Sequence, residues 1–437
     1  MIDRVDPVQP AGIGAAPTVD RAAAQRRVIR VLVCIQVLGG VGVSIGLAVS
    51  TLAAARMSGS DVIGGSALTC AVIGAAGAAV LVARIAGRAG RRPSLTLGYL
   101  VGAGGGAVAA LAAELDRWPL LLAGLVLLGA ATAAGLAARF TATDLAAPER
   151  RGRALAVVVW ATTVGAVAGP NLGEPAQRLA GAIGLVPLAG PFLVCAVVFA
   201  LAAVGTWTGL RPDPLLLARQ AAVPGPAAAS TGATTGGARA ALRAAPAARL
   251  GVAGIVLCHL VMVGVMSMTP VHMGHGGATL QLVGLVISLH VAGMYALSPV
   301  FGWLVDRMGS QPVLALGGSL LVAAGVVSGL AAGDQTVLLS VGLVLLGLGW
   351  SAGLVAGSTL VSTAVPVPDR PGVQGLADVS MNVAGAVGGI AAGVTVAVGS
   401  FAVLGIGAAV LAAPFVVAMV LATRRSPAPP NPVPRRP

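Results

Sequence analysis

The chain has 437 residues, of which 57% are hydrophobic and only 9% charged, and its 27 basic residues outnumber 14 acidic ones for a net charge of +13. A soluble domain carries about 25% charged residues, so this composition excludes a water-covered globule and leaves a chain dissolved in lipid. Every basic residue is arginine, which excludes a phosphate-binding loop that needs a lysine; the arginines lie between apolar runs, the pattern of a membrane-side bias and not of nucleic-acid binding.

Residues 1–25 are rich in Pro, Ala and Gly without periodicity and read as a disordered cytoplasmic tail. Twelve apolar runs of spanning length follow, at 31–54, 62–84, 94–113, 118–138, 154–173, 187–209, 250–270, 280–304, 313–332, 336–357, 374–396 and 402–423. Each is near the ~20 residues that cross a bilayer as a helix. The first continues to about Leu52, past the ~7–15 residues of a signal-peptide core, so it reads as a true span. Six runs fall within 26–210 and six within 250–423. Between them, 211–249 reads as a flexible cytoplasmic linker with room for a short surface helix from Arg239 to Arg249, and 424–437 as a Pro-rich cytoplasmic tail. The predicted fold class is an all-α membrane protein, with twelve transmembrane helices arranged as two pseudo-symmetric six-helix bundles.

With the amino end inside, 24 of the 27 arginines fall on one side; Arg56, Arg117 and Arg178 remain on the other. The positive-inside rule then puts both termini in the cytoplasm of a multi-pass protein of the cell membrane. The 63 glycines suit helices that pack closely in lipid. Cys34, Cys70, Cys195 and Cys258 all sit in apolar runs and read as small hydrophobes, not as disulfides or metal ligands.

The most concentrated polar chemistry is a short turn, Gly302-Trp-Leu-Val-Asp306-Arg307-Met-Gly309-Ser-Gln-Pro312, with a weaker copy at Ala83-Arg-Ile-Ala-Gly87-Arg88-Ala-Gly90-Arg-Arg-Pro93. Arg307 lies 219 residues after Arg88, and Gly309 lies 219 after Gly90. Leu127-Leu-Gly129 repeats as Leu345-Leu-Gly347, Pro148-Glu-Arg150 as Pro368-Asp-Arg370, and Gly165-Ala-Val167 as Gly385-Ala-Val387, at offsets of 218 to 220. A common offset in an apolar chain is the mark of an internally duplicated transporter.

On these features the chain resembles the major facilitator superfamily, over about residues 26–423. Gly302, Leu304, Asp306, Arg307 and Gly309 copy the superfamily's loop motif; in the first half Gly87 stands where the acid belongs and Ala83 replaces the leading glycine. Helix five carries Ala156, Gly165, Gly169-Pro170 and Gly173 at the spacing of the superfamily's antiporter motif, with Glu174 in place of its final glycine. The resemblance implies alternating access about a central site lined by helices one, four, seven and ten, and associates the helix-five motif with export by proton antiport. Helix four departs, having no arginine from Trp118 to Ala138 where many exporters of the superfamily carry one.

Several residues are candidates for chemistry. Asp306 can accept from a helix amino terminus or pair with arginine. It is expected to latch the cytoplasmic side shut against the start of helix five near Arg153, with Arg307, Gly309, Arg88 and Gly90 in the same device; a solvated turn charge is the plainer alternative. Gly165, Gly169, Pro170 and Gly173 form either that antiporter-like element or a close-packing face. Asp378 recurs with Gln374 and Asn382 every four residues, which sets them on one helix face. It is either a protonatable or cavity-lining acid or an interfacial acid at a helix start. His259 and His290 sit near mid-membrane and can titrate near neutral pH, or can be neutral and bonded to a neighbouring helix. Gln36 and Tyr295 are further cavity candidates. Asp144 is expected to pair with Arg139 or with the arginines at 150–153. His272 and His275, placed in an outer loop, underspecify a metal site, so neither metal nor cofactor is expected.

The expectation is a secondary transporter and not an enzyme: a monomer in the lipid bilayer, binding a small-molecule substrate with protons as the coupling ion. Export of a small apolar or drug-like compound is the first reading. Import or uniport of a neutral metabolite is the second, and a non-transporting receptor or scaffold the third.

Overall fold

The computed structural model describes residues 20–221 and 235–425. The expected tails at 1–19 and 426–437, and the linker segment 222–234, lie outside the described residues. Among the described residues every regular element is helical, and twelve helical stretches are long and apolar enough to span a membrane.

In chain order the α-helices are α1 (Arg21–Ser58), α2 (Asp61–Ala89), α3 (Arg91–Glu114), α4 (Trp118–Thr141), α5 (Arg151–Asn171), α6 (Gly173–Ala182), α7 (Gly190–Gly209) and α8 (Pro214–Ala221). The second part holds α9 (Thr235–Ala244), α10 (Pro246–His275), α11 (Leu280–Tyr295), α12 (Ser298–Met308), α13 (Ser310–Leu330), α14 (Thr336–Ala364), α15 (Arg370–Val398) and α16 (Phe401–Arg425). Most boundaries fall within a few residues of the apolar runs, because a run ends where charge or glycine ends the helix.

Four differences have local causes. Residues 21–25, read as tail, are helical, since the Asp20 carboxylate caps α1 by accepting from the N–H of Ala22 and Ala23 at 2.9 and 3.2 Å. The segment read as a linker with room for one short helix at 239–249 carries two, α8 and the overlapping α9, and α10 already begins at Pro246. Span eight is broken between α11 and α12, where Pro299 in the first turn of α12 lacks a ladder donor. His272 and His275 lie in the last turn of α10 and not in a loop.

The same pairings recur in both halves. In the first, α1 packs on α5 and α7, α2 on α4, and α3 on α4 and α7. In the second, α10 packs on α15 and α16, α11 on α14, and α13 on α14 and α16. Helix by helix this is one arrangement used twice, the form expected of a duplicated transporter. Small residues permit it: Gly105 of α3 lies against the backbone of Gly124 and Leu128, and Gly165 of α5 against the backbone of Gly40 in α1. In lipid such close approach substitutes van der Waals contact for a hydrophobic drive.

The halves meet along two seams, α2 against α15 and α5 against α12. Leu155, Ala156 and Val159 of α5 are buried in the second half's apolar core. The face carrying the ends of α2, α4 and α12 and the starts of α3, α5 and α15 is the arginine-rich face.

Candidate functional site

Gln36 and Ser44 of α1, Arg139 of α4, Thr162 of α5, His259 of α10 and Trp350 of α14 contribute to one central cavity of about 250 Å³. Both halves line it. Its walls are largely apolar, with few polar groups held in place. Gln36 Nε2 donates to Thr162 Oγ1 at 2.9 Å, leaving Gln36 Oε1 buried without a partner. Trp350 Nε1 donates to His259 Nδ1 at 2.9 Å, and Tyr295 stands edge-on to the Trp350 ring at 81°. Asn382 also faces the cavity and donates to the Asp378 carbonyl at 2.8 Å.

Below the cavity, toward the arginine-rich face, three layers join the halves. In the first, Arg139 Nη2 donates to Asp378 Oδ1 at 2.5 Å, Nε to Ser358 Oγ at 3.1 Å and Nη1 to the Leu136 carbonyl at 2.6 Å. Arg139 and Asp378 are both buried, so their charges depend on one another and not on water. Arg139 and Ser358 are 219 positions apart, the repeat offset, so equivalent positions of the two halves touch here.

In the second layer Arg91, at the start of α3, donates from Nε and Nη2 to the Asp144 carboxylate at 2.8 and 3.3 Å. Its Nη2 also crosses to Gln374 Oε1 of α15 at 2.5 Å. Asp144 therefore pairs with Arg91 and not with Arg139 or the arginines at 150–153. The reason is geometric: the loop after α4 turns Asp144 back under α3, while Arg139 points across the seam.

The third layer is the charged turn. The Asp306 carboxylate accepts from the N–H of Gly152 at 2.7 Å and of Arg153 at 3.0 Å, two donors that a helix leaves unpaired at its start. Arg153 Nε lies 3.9 Å away and its side chain is more than half exposed, so the backbone contacts dominate. Gly302 lets α12 approach Gly152, and Gly309, at φ 88°, takes a conformation that disfavours other residues. Gly90 repeats that conformation at φ 95°. With no acid at Gly87, the first-half copy uses Asp213 instead, which accepts from Arg92 N at 2.7 Å within its own half. Arg88 and Arg307 are exposed, Arg307 lying 5.3 Å from the Trp303 ring centre.

The remaining candidates separate. Gln36, Tyr295, His259 and Asn382 face the cavity, and Asp378 lies beneath its floor. His290 does not line the cavity: it is buried against α14, with Nδ1 2.8 Å from the Leu343 carbonyl. Gly165 and Gly169 form the contact of α5 with α1, Pro170 sits in the last turn of α5, and Gly173 opens α6. Glu174 is exposed and bonded to Arg178. His272 Nε2 lies 3.0 Å from the Ala331 carbonyl, and its ring stacks on Phe401. The four cysteines are free thiols. Sequence reasoning missed Arg139 as a site residue, because it lies one position beyond the run read as helix four. The signal that could have found it is its register with Ser358 across the repeat.

The family model of the Major Facilitator Superfamily matches residues 31–281 and 252–437. The chain is 36% identical over 382 residues to the uncharacterized MFS-type transporter YdeG of Bacillus subtilis (strain 168), covering 87% of this chain and 88% of that protein. It is 27% identical over 313 residues to the riboflavin transporter RfnT of Brucella anthropi, covering 70% of this chain and 74% of that one. Among solved structures, the proton:xylose symporter XylE bound to 6-bromo-6-deoxy-D-glucose superposes with a TM-score of 0.71 at 15% identity, over 92% of this chain and 96% of that one, a likeness of fold. The chain belongs to the major facilitator superfamily and is a multi-pass membrane transporter, not an enzyme.

Proposed function

We propose that the protein exports a small, uncharged, largely apolar compound in exchange for protons, as a monomer in the cell membrane with both termini cytoplasmic. The single observation that carries this reading is the central cavity, which both halves line and whose floor is an ion pair joining them. The arrangement described is then the outward-facing one, with the three polar layers sealing the cytoplasmic side.

The chemistry of the cavity supports the substrate class. Its one formal charge, Arg139, is already answered by Asp378, so a charged substrate would enter without a counter-ion. Gln36 Oε1 offers an unused acceptor and the Trp350 and Tyr295 rings offer a flat apolar wall. Coupling follows from the floor. Opening the cytoplasmic side separates Arg139 from Asp378, which leaves an isolated carboxylate in apolar surroundings, a costly state that binding a proton relieves. Asp306 serves as the latch, holding α12 to the start of α5 until the halves rock.

A second reading, import of a neutral metabolite, is favoured by the similarity to a riboflavin transporter together with the aromatic wall. Everted membrane vesicles, acidified inside, distinguish the two when chloramphenicol and riboflavin are offered as probes. Compound-driven proton release with accumulation of the compound supports antiport. Flux without proton movement indicates a uniporter, and no flux with either probe or a wider panel of compounds indicates a receptor or scaffold.

A further inference from the structure

A second and larger concavity lies at the arginine-rich face, outside the central cavity and bordering the third layer at Arg153. It encloses about 790 Å³ between the first turns of α1 and the loop leading from α4 into α5. Its walls are apolar, formed by side chains such as Ile29, Leu145, Pro148 and Val157, and five arginines rim it: Arg21, Arg26, Arg150, Arg151 and Arg153. No acidic residue lines it. The two acids adjacent in sequence do not answer the charge, since the Asp20 carboxylate caps α1 and Glu149 is exposed. Among the described residues, Arg153 is the only one of the five within ion-pair distance of a carboxylate, Asp306 at 3.9 Å.

Two polar atoms of lining residues are buried without partners and differ in kind. Arg151 Nε is a donor and Gln25 Oε1 an acceptor. Gln25 Nε2 donates to the Ala142 carbonyl at 2.8 Å, and neither unpartnered atom is open to the groove, so neither selects its occupant. An occupant that suits the groove brings negative charge, acceptor oxygens for the guanidinium groups and an apolar body.

We infer that this groove binds an anionic phospholipid of the phosphatidylglycerol type. Its phosphate lies among the guanidinium groups, which bind phosphate oxygens in pairs. Its upper acyl chain covers Ile29 and Val157. A free phosphate would leave the apolar walls bare, and a choline headgroup would bring a cation among five arginines. Arginines at a membrane face draw anionic lipid even without a pocket; here the apolar walls add a seat for the acyl chain.

The test uses the full-length protein in detergent, with bound lipid counted by native mass spectrometry. Dioleoyl phosphatidylglycerol is titrated against dioleoyl phosphatidylcholine and glycerol 3-phosphate. Retention of phosphatidylglycerol alone is expected. The double variant Arg26→Gln/Arg150→Gln should bind it on the order of thirtyfold more weakly, each interfacial arginine contributing a factor of about five, while Arg117→Gln at the opposite face should not change it. A phosphatidylglycerol carrying a diazirine near the headgroup should label wild-type residues 21–29 and 145–157, which decides the matter if the double variant does not fold. Equal retention of the choline lipid, binding of glycerol 3-phosphate alone, an unchanged double variant, or labelling elsewhere would each overturn the assignment.

Discussion

Arg139 and Asp378 stand on different halves of the transporter and meet beneath its central cavity at 2.5 Å. Neither is within reach of bulk water, so each is the other's solvent. Removing one partner of such a pair leaves a buried charge and costs about 3–5 kcal/mol, whereas removing both is often near neutral. Asp378→Asn should therefore destabilise the purified protein more than Arg139→Gln/Asp378→Asn does, a non-additivity read by thermal unfolding of the two single variants and the double. Additive losses would show that the two charges are independent. If Asp378 carries the coupling proton, Asp378→Asn should also flatten the pH dependence of transport. A wild-type pH profile in that variant removes Asp378 from the coupling scheme.

The Asp306 carboxylate meets α5 at two of its leading amides, so Asp306→Ala removes both acceptors. Loss of a helix cap costs about 0.5–2 kcal/mol, a population change of roughly two- to thirtyfold in favour of the state open at the arginine-rich face. A reporter cysteine at Ser362, buried near that face, in a background lacking Cys34, Cys70, Cys195 and Cys258, should react with maleimide faster by that factor. An unchanged rate would mean that Asp306 is not a latch.

The contact of α1 with α5 predicts a sharp contrast between two glycines. A Cβ on Gly165 would fall 2.6 Å from the backbone of Gly40, while a Cβ on Gly393 would meet nothing within 4 Å. Overpacking a fixed backbone contact costs about 1–3 kcal/mol. Gly165→Ala should lower the yield of folded protein and its unfolding temperature, and Gly393→Ala should lower neither. Equal behaviour would mean that the α1–α5 seam is soft enough to shift.

The twelve spans were legible because a bilayer imposes a length and an apolar composition that few other environments demand. The charged turn was legible for a similar reason: Gly309 and Asp306 are residue types chosen by backbone conformation and helix-end chemistry, and both are local. What a single sequence conceals is the partner across a seam. Asp144 has four arginines within eleven residues, yet it bonds to Arg91, 53 positions away. Arg139 looked like one more interfacial arginine until α15 was folded against it. His272 and His275 read as loop residues because Pro270 and three glycines follow one another closely, but α10 continues through its proline. Local chemistry is written in the chain, whereas pairing depends on which helix arrives opposite.

The two mid-membrane histidines can be told apart on the same grounds. His259 accepts from the Trp350 indole within the cavity wall. His259→Phe strands that N–H, a loss of about 1–3 kcal/mol, and reshapes the wall of the proposed substrate cavity. Its KM should shift, by roughly tenfold if about 1.4 kcal/mol falls on substrate binding, with the ranking of substrates altered. His290 spends one ring nitrogen on the Leu343 carbonyl and lies outside the cavity. His290→Leu should lower the unfolding temperature through the lost bond to the Leu343 carbonyl while the KM of the folded fraction stays at the wild-type value. Transport assays on reconstituted variants, normalised to folded protein, separate the outcomes. A changed KM for His290→Leu together with an unchanged one for His259→Phe would place the binding site on the wrong side of α11 and exclude the central cavity as the substrate's seat.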